Sequence, residues 1–226
     1  MKKAIIGLGS LLLFLSTTIQ AQNVDFGVTT GFQVSVWAVD EVPSSIGRLG
    51  FLIGGHASIF LNERIVIKSG LLLSQKGTWL DLEDINSEDT HALTSDYLSL
   101  PILAKLYITK GLHVQAGPQF SYLIASAAKI GTVKTENGNL KQQRLIRPVD
   151  AGMVFGLGYE FQSTFTFAIN FDISFVNLIK DADAFEERVR EEFPLVNFDG
   201  EFPERTRNGA LQFVFSYNFT KNRSAF

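Results

Sequence analysis

Between Thr164 and Leu178 the chain reads TFTFAINFDISFVNL, with a bulky apolar residue at every second position. Phe165, Phe167, Ile169, Phe171, Ile173 and Phe175 share one parity; Thr166, Ala168, Asn170, Asp172 and Ser174 share the other. Side chains on a strand alternate between its two faces, so this segment is a strand with one greasy face and one small, polar face. The greasy face is too continuous to sit in water. It needs a second sheet or lipid against it.

The same alternation recurs along the chain and predicts strands over Asp25–Trp37, Arg48–Leu61, Arg64–Trp79, Ser95–Ile108, Leu112–Ser126, Arg147–Phe161, Thr164–Leu178 and Asn208–Thr220. Parity is least clean in the third, where Val66 and Leu72 join the polar face. The connections run long, short, long, short, long, short, long, and the short ones fall at Asn62-Glu63, Thr109–Gly111 and Gln162-Ser163. Asn137-Gly138 lies in a long one and is a strong hairpin-turn dipeptide, predicting flanking strands that project as a hairpin. Short turns at one end and long loops at the other is the plan of an outer-membrane barrel. The expected fold is therefore all-β: an eight-stranded, antiparallel, up-and-down transmembrane β-barrel over residues 22–220. Short turns and both termini fall on the periplasmic side. A ten-stranded variant follows if Leu195 to Phe202 pairs.

The first residues supply the compartment. Met1-Lys2-Lys3 is basic, Ala4 to Leu15 is apolar, and Ser16 to Ala21 is a polar stretch ending in a small residue. That is a secretory signal over 1–21, with 221–226 a short tail after the barrel. The apolar stretch is shorter than the roughly 20 residues of a spanning helix, and no later run reaches that length. A Gram-negative outer membrane, reached by signal-dependent export, is the expected location. The absence of cysteine excludes disulfides, thiolate metal sites and thiol catalysis. A net charge of -3 indicates no nucleic-acid partner.

A soluble lipocalin-like barrel turns the greasy face inward around an apolar ligand. Its solvated face is then rich in Lys and Glu. Here the polar face is mostly Gly, Ser, Thr, Gln and Asn, and its ionisable members are Asp25, Lys68, Lys76, Lys105, Asp150, Glu160 and Asp172. Sparse, nearly balanced charge suits the crowded interior of a small barrel. Asp25, Lys68, Lys105 and Glu160 fall in the periplasmic half and are expected to form one internal network. Tyr159, Phe161, Phe165, Tyr217 and Phe219 gather near the same end on the outer face, where an aromatic girdle meets the interface.

The segments Tyr97–Lys105 (YLSLPILAK), Ala116–Gln119 (AGPQ) and Gly156–Glu160 (GLGYE) resemble the PorT-like outer-membrane β-barrel family of Bacteroidetes-type bacteria. The resemblance spans nearly all of the chain after the signal and implies the barrel fold. The namesake's association with protein secretion implies, by resemblance only, a secretion accessory.

Catalytic and metal-binding patterns are weak. His56-Ala57-Ser58 is similar to the His-x-Ser of outer-membrane lipid A deacylases, but parity turns both side chains into the lumen and no acidic orienter accompanies them. His113 is also inward and His91 falls in a loop, so the histidines have no ligand spacing. Asp81 to Asp89 is acidic without the glycine or spacing of a calcium loop. The next loop is basic, with Lys129, Lys134, Lys141, Arg144 and Arg147 able to meet lipopolysaccharide phosphates or their acidic neighbour. Ala182, Phe185, Val189 and Phe193 recur at helical spacing before Pro194, as in a short lid helix or a self-packed loop. No enzyme activity and no cofactor are expected. The expected function is that of a structural or interaction protein, with a filled lumen and with loops that meet lipopolysaccharide or a protein partner. A narrow pore and the soluble apolar-ligand binder are the alternatives.

Overall fold

The computed structural model describes residues 24–39, 45–80, 91–130, 133–134, 146–162, 164–180 and 206–219. The sequence assigned to the signal, the acidic loop, the Asn137-Gly138 turn, the 182–193 helical pattern, the 195–202 segment and the tail lie outside those residues.

Nine strands are described: β1 (Val24–Val39), β2 (Ser45–Phe60), β3 (Ile65–Leu80), β4 (His91–Tyr107), β5 (Leu112–Ile130), β6 (Val133–Lys134), β7 (Val149–Phe161), β8 (Phe165–Ser174) and β9 (Thr206–Asn218). Each pairs antiparallel with its neighbours in the order β4-β3-β2-β1-β9-β8-β7-β5, and β4 pairs with β5 to close the ring. Eight strands thus form the wall, and β6 is a two-residue appendage on β5. Closure leaves no sheet edge, the condition for placing strands in hydrocarbon.

The alternation seen in the sequence is the wall's inside and outside. On β8, Thr166, Ala168, Asn170, Asp172 and Ser174 are all buried, while Phe165, Phe171 and Ile173 are exposed. Val66 is buried and Leu72 packs into an internal cluster, so the broken parity of β3 is an inward pair of apolar side chains. Large exposed apolar residues ring the barrel, from Phe26 on β1 to Phe219 beyond β9. On β3 and β4 that belt ends where Gln75 donates to Asp96 across the outer face.

Turns at one end are tight. Asn62 Oδ1 accepts from the backbone N–H groups of Arg64 and Ile65, holding the β2–β3 turn. Gly111 adopts a φ of 83° in the β4–β5 turn, a conformation that costs a side-chain-bearing residue and costs glycine nothing. At this same end the Phe219 N–H donates to the Phe26 carbonyl, so both ends of the wall meet there.

The boundaries depart most from the sequence reading at three places. β3 and β4 stay paired up to Leu80 and His91, so His91 opens a strand and is not in a loop. Backbone pairing there continues past the residues whose apolar alternation marks the strand. β5 runs on to Ile130, and Val133 and Lys134 pair back onto it, so the chain reverses ahead of Asn137-Gly138. β8 ends at Ser174 rather than continuing to Leu178; an isolated bridge between Ile146 and Ile179 resumes the contact beyond it. Past Ser174 the Val176 N–H donates to the Ser174 hydroxyl at 3.2 Å rather than to the neighbouring strand.

Candidate functional site

Whatever chemistry this chain carries inside its wall is arranged in three levels along the lumen. At the short-turn end lies an ionic level. The Lys105 ammonium sits 3.9 Å from Glu160 Oε2, and the Tyr107 hydroxyl donates to the same oxygen at 2.5 Å. Lys68 reaches from β3 across to β9 and donates to Ser216 Oγ at 2.7 Å. Asp25 is buried at this level, in the row Asp25–Ser58–Lys68 set by the β1–β2 and β2–β3 registers. Of the four residues grouped from sequence, the structure pairs Lys105 with Glu160 and sends Lys68 to a hydroxyl.

His56 lies in the same level and is fully engaged. Its Nδ1 is 2.9 Å from the Thr29 hydroxyl and its Nε2 is 2.9 Å from Asn218 Oδ1. Thr29 also meets Ser216 at 3.0 Å. Ammonium gives only donors and an amide oxygen only accepts, so both ends of this chain are fixed, and a neutral imidazole fixes the order between them. Lys68 donates to Ser216, Ser216 to Thr29, Thr29 to His56 Nδ1, and His56 Nε2–H to Asn218. In that order the Nδ1 of His56 is occupied by the Thr29 hydroxyl. His113 is fully buried against the Tyr107 ring at 5.1 Å, with Nδ1 3.2 Å from the Gly111 carbonyl. Both histidines lie over glycines: a Cβ on Gly27 would come within 2.6 Å of His56, and one on Gly158 within 2.6 Å of His113.

The middle level gathers the apolar side chains of the lumen, with the Gln115, Asn170 and Gln212 amides lining the same space. Leu52, Ala168 and Val214 form a buried cluster with Leu72 against it. Gly31 stands between Leu52 and Val214 in the register, and its missing side chain lets them share one row. Val154 and Leu103 are buried on the opposite strands. The sequence reading passed over Leu52, Val154 and Val214, because a lone apolar residue among polar ones looks like noise in one strand's parity. Their signal is that they recur at one height on three strands.

Toward the long connections lies a second ionic level. Lys76 Nζ is 2.6 Å from Asp172 Oδ2 and 3.9 Å from Asp150 Oδ2, and it sits 5.7 Å from the centre of the Tyr97 ring. Gln119 donates to Asp172 at 2.8 Å, Asn208 donates to Asp150 at 3.1 Å, and Ser174 also donates to Asp150. Lys76 and Tyr97 are almost completely buried. The ion pairs here join one cation to two carboxylates, and the level is held as much by amide and hydroxyl donors as by those pairs.

On the outside, the five aromatics grouped from sequence fall on β7, β8 and β9 and the residue that follows β9. Tyr159 and Phe161 have ring centroids 4.6 Å apart, Phe165 and Tyr217 5.1 Å, Tyr217 and Phe219 5.8 Å. They form an arc rather than a full ring. On β4 and the turn after it, Leu106 and Ile108 hold the equivalent outer positions.

A closed ring of eight antiparallel strands, a dry-faced belt outside and polar residues within fits a single environment. Residues 20–180 match the sequence profile of the outer membrane protein β-barrel domain. The chain belongs to that family. Its location is the bacterial outer membrane, and the soluble, ligand-lined alternative is set aside: the Phe-rich face looks outward into lipid. No curated protein matches the sequence. Among solved structures it is similar to Neisserial surface protein A, at 10% identity and a TM-score of 0.50, covering 86% of this chain and 97% of that one. It is also similar to Ail, the attachment invasion locus protein of Yersinia pestis, solved with the heparin analogue sucrose octasulfate, at 10% identity and a TM-score of 0.45, covering 88% and 100%. The outer membrane protein OprG from Pseudomonas aeruginosa matches at 9% identity and a TM-score of 0.40, covering 87% and 96%.

Proposed function

We propose that this protein is a sealed outer-membrane barrel that works through its extracellular connections, as a structural or interaction protein rather than as a pore or an enzyme. The observation that carries this reading is the lumen: side chains fill it, with an apolar cluster of Leu52, Ala168 and Val214 between two ionic levels. An ion crossing it would shed its water against Leu52, Val154 and Val214, and desolvation of a lone charge costs several kcal/mol or more. The reading against catalysis rests on His56. Its acceptor nitrogen is taken by Thr29, and both groups are buried in the wall's interior, away from any lipid or loop-borne substrate.

On this reading, signal-dependent export delivers the chain and the aromatic arc of Tyr159, Phe161, Phe165, Tyr217 and Phe219 anchors it at the periplasmic interface. The long connections then face outward toward lipopolysaccharide or a protein partner. A secretion accessory is the narrower form of this function, and the PorT-like segments at 97–105, 116–119 and 156–160 are its support.

The test is electrical and then biochemical. Refolded mature protein is inserted into planar bilayers, where no unitary conductance is expected. Discrete channel openings that scale with protein would replace this reading with the narrow pore. If the bilayer stays silent, variants with the 81–90 and 181–205 connections shortened are compared with wild type for binding to lipopolysaccharide and to outer-membrane extracts. Equal binding by all of them would remove the loops from the function.

A further inference from the structure

A cavity of about 40 Å³ lies in the lumen beside the Lys68 ammonium. At roughly 10–15 Å³ per water, it has room for about three waters, or for one halide ion with a water or two. It is too small for a phosphate or a carboxylate ligand.

The lining has a definite sign. Lys68 is its charged member, and no Asp or Glu contributes to it. Among the described residues, Lys68 donates one hydrogen bond, to Ser216, and takes part in none of the ion pairs. An ammonium has three N–H donors, so two are left for whatever fills the space. Two carboxylates share this level: Glu160 is engaged by Lys105 and Tyr107, and Asp25 lies two strands along the row from Lys68; neither forms an ion pair with Lys68 among the described residues. Other donors line the same cavity. Thr166 brings a hydroxyl, and the Gln115 and Gln119 amides each use one N–H elsewhere, on Asn170 and Asp172, and keep a second. The remaining walls mix apolar side chains such as Leu103 and Val154 with the neutral polar groups of His56, Asn170, Gln212 and Ser216.

One cation, several neutral donors, no carboxylate and a volume near that of a halide with a water form the chemistry of a small-anion site. We propose that the cavity is a lumenal halide site, filled by chloride and held by Lys68. The ion supplies a negative charge in direct contact with Lys68, which no described carboxylate does, and its weak hydration suits a half-apolar wall.

The mature barrel is refolded in detergent in sodium chloride, bromide or gluconate at equal ionic strength, and its unfolding temperature is read from heat-modifiable gel mobility. Wild type is expected to unfold several degrees higher in either halide than in gluconate. Lys68→Met is expected to lose that difference. Crystals grown in bromide are expected to show an anomalous peak in contact with Lys68 Nζ. The same unfolding temperature in all three anions overturns the site, as does a halide effect that survives in Lys68→Met. A bromide crystal with no peak in the cavity overturns it without needing the variant to fold, and leaves water alone as the occupant. Channel activity has no bearing on these outcomes, so the proposal stands or falls separately from the sealed-barrel reading.

Discussion

Lys76 and Asp172 meet at 2.6 Å across the full width of the lumen, from β3 to β8, which stand four places apart in a ring of eight. Opposite walls are thereby tied by one charge-assisted hydrogen bond, with Asp150 3.9 Å from the same nitrogen. Both partners are buried, at 1% and 3% side-chain exposure, so removing one leaves a charge that water cannot reach. Lys76→Met is expected to cost about 3–5 kcal/mol, because it leaves two uncompensated carboxylates. Asp172→Asn is expected to cost less, because Asp150 still faces Lys76. Guanidinium unfolding of the refolded barrel in detergent reads the order. Equal losses for the two variants would show that Asp150 adds nothing to the pair.

The two histidine–glycine contacts make a sharper comparison. A Cβ on Gly158 would sit 2.6 Å from His113 Nε2 and 3.0 Å from the Phe167 carbonyl oxygen. A Cβ on Gly27 would sit 2.1 Å from the Tyr217 carbonyl oxygen as well as 2.6 Å from His56. Alanine at either position is expected to destabilise by about 1–3 kcal/mol through overpacking. The rescues differ. His113→Ala frees most of the space that Gly158→Ala needs, so the double variant is expected to recover much of the loss. His56→Ala leaves the Tyr217 carbonyl in place, so Gly27→Ala is expected to stay impaired. A double-mutant cycle measured by thermal unfolding gives the two coupling energies, and similar values would show that the backbone obstacle at Gly27 relaxes.

How much of this was legible depends on distance along the ring. Parity within a strand is local, so it placed Asp150, Asp172 and Lys76 inside and Phe171 and Leu157 outside without any partner being known. The ring of eight followed from short turns at 62–63, 109–111 and 162–163, since a tight turn leaves antiparallel neighbours no choice. The pairing of Lys76 with Asp172 was not legible. It depends on the height at which β3 and β8 face one another, and that height accumulates over every register between them. Two of those registers shift, between Gly47 and Leu52 and between Asp96 and Tyr97. The apolar level was hidden for the same reason. Leu52 belongs with Val214 because Gly31 pairs with both, a fact of two registers rather than of one strand's pattern. Strand ends at His91 and Ile130 were missed because backbone pairing outlasts the apolar belt that announces it.

The belt itself makes the last prediction. Ile169 on β8 pairs with Leu157 on one side and Phe213 on the other, midway along the wall, and is 37% exposed. Phe219 follows β9 at the short-turn end and is 61% exposed. In water, arginine at either site would be nearly neutral, and the more exposed one the more tolerant. In lipid, depth decides. Arginine near the midplane of a β-barrel's lipid face costs about 2–4 kcal/mol and near the interface about 0–1. Ile169→Arg is therefore expected to fold into liposomes several kcal/mol less favourably than wild type, and Phe219→Arg almost as well. Measured in reversible folding titrations with phosphatidylcholine vesicles, the gap between the two variants locates the hydrocarbon on this wall. A gap that closes would move Ile169 out of the membrane's centre and shift the belt along the strands. The same pair repeated on β3, where Leu71 and Ile65 hold comparable positions, then shows whether the barrel sits upright or leans toward its aromatic arc.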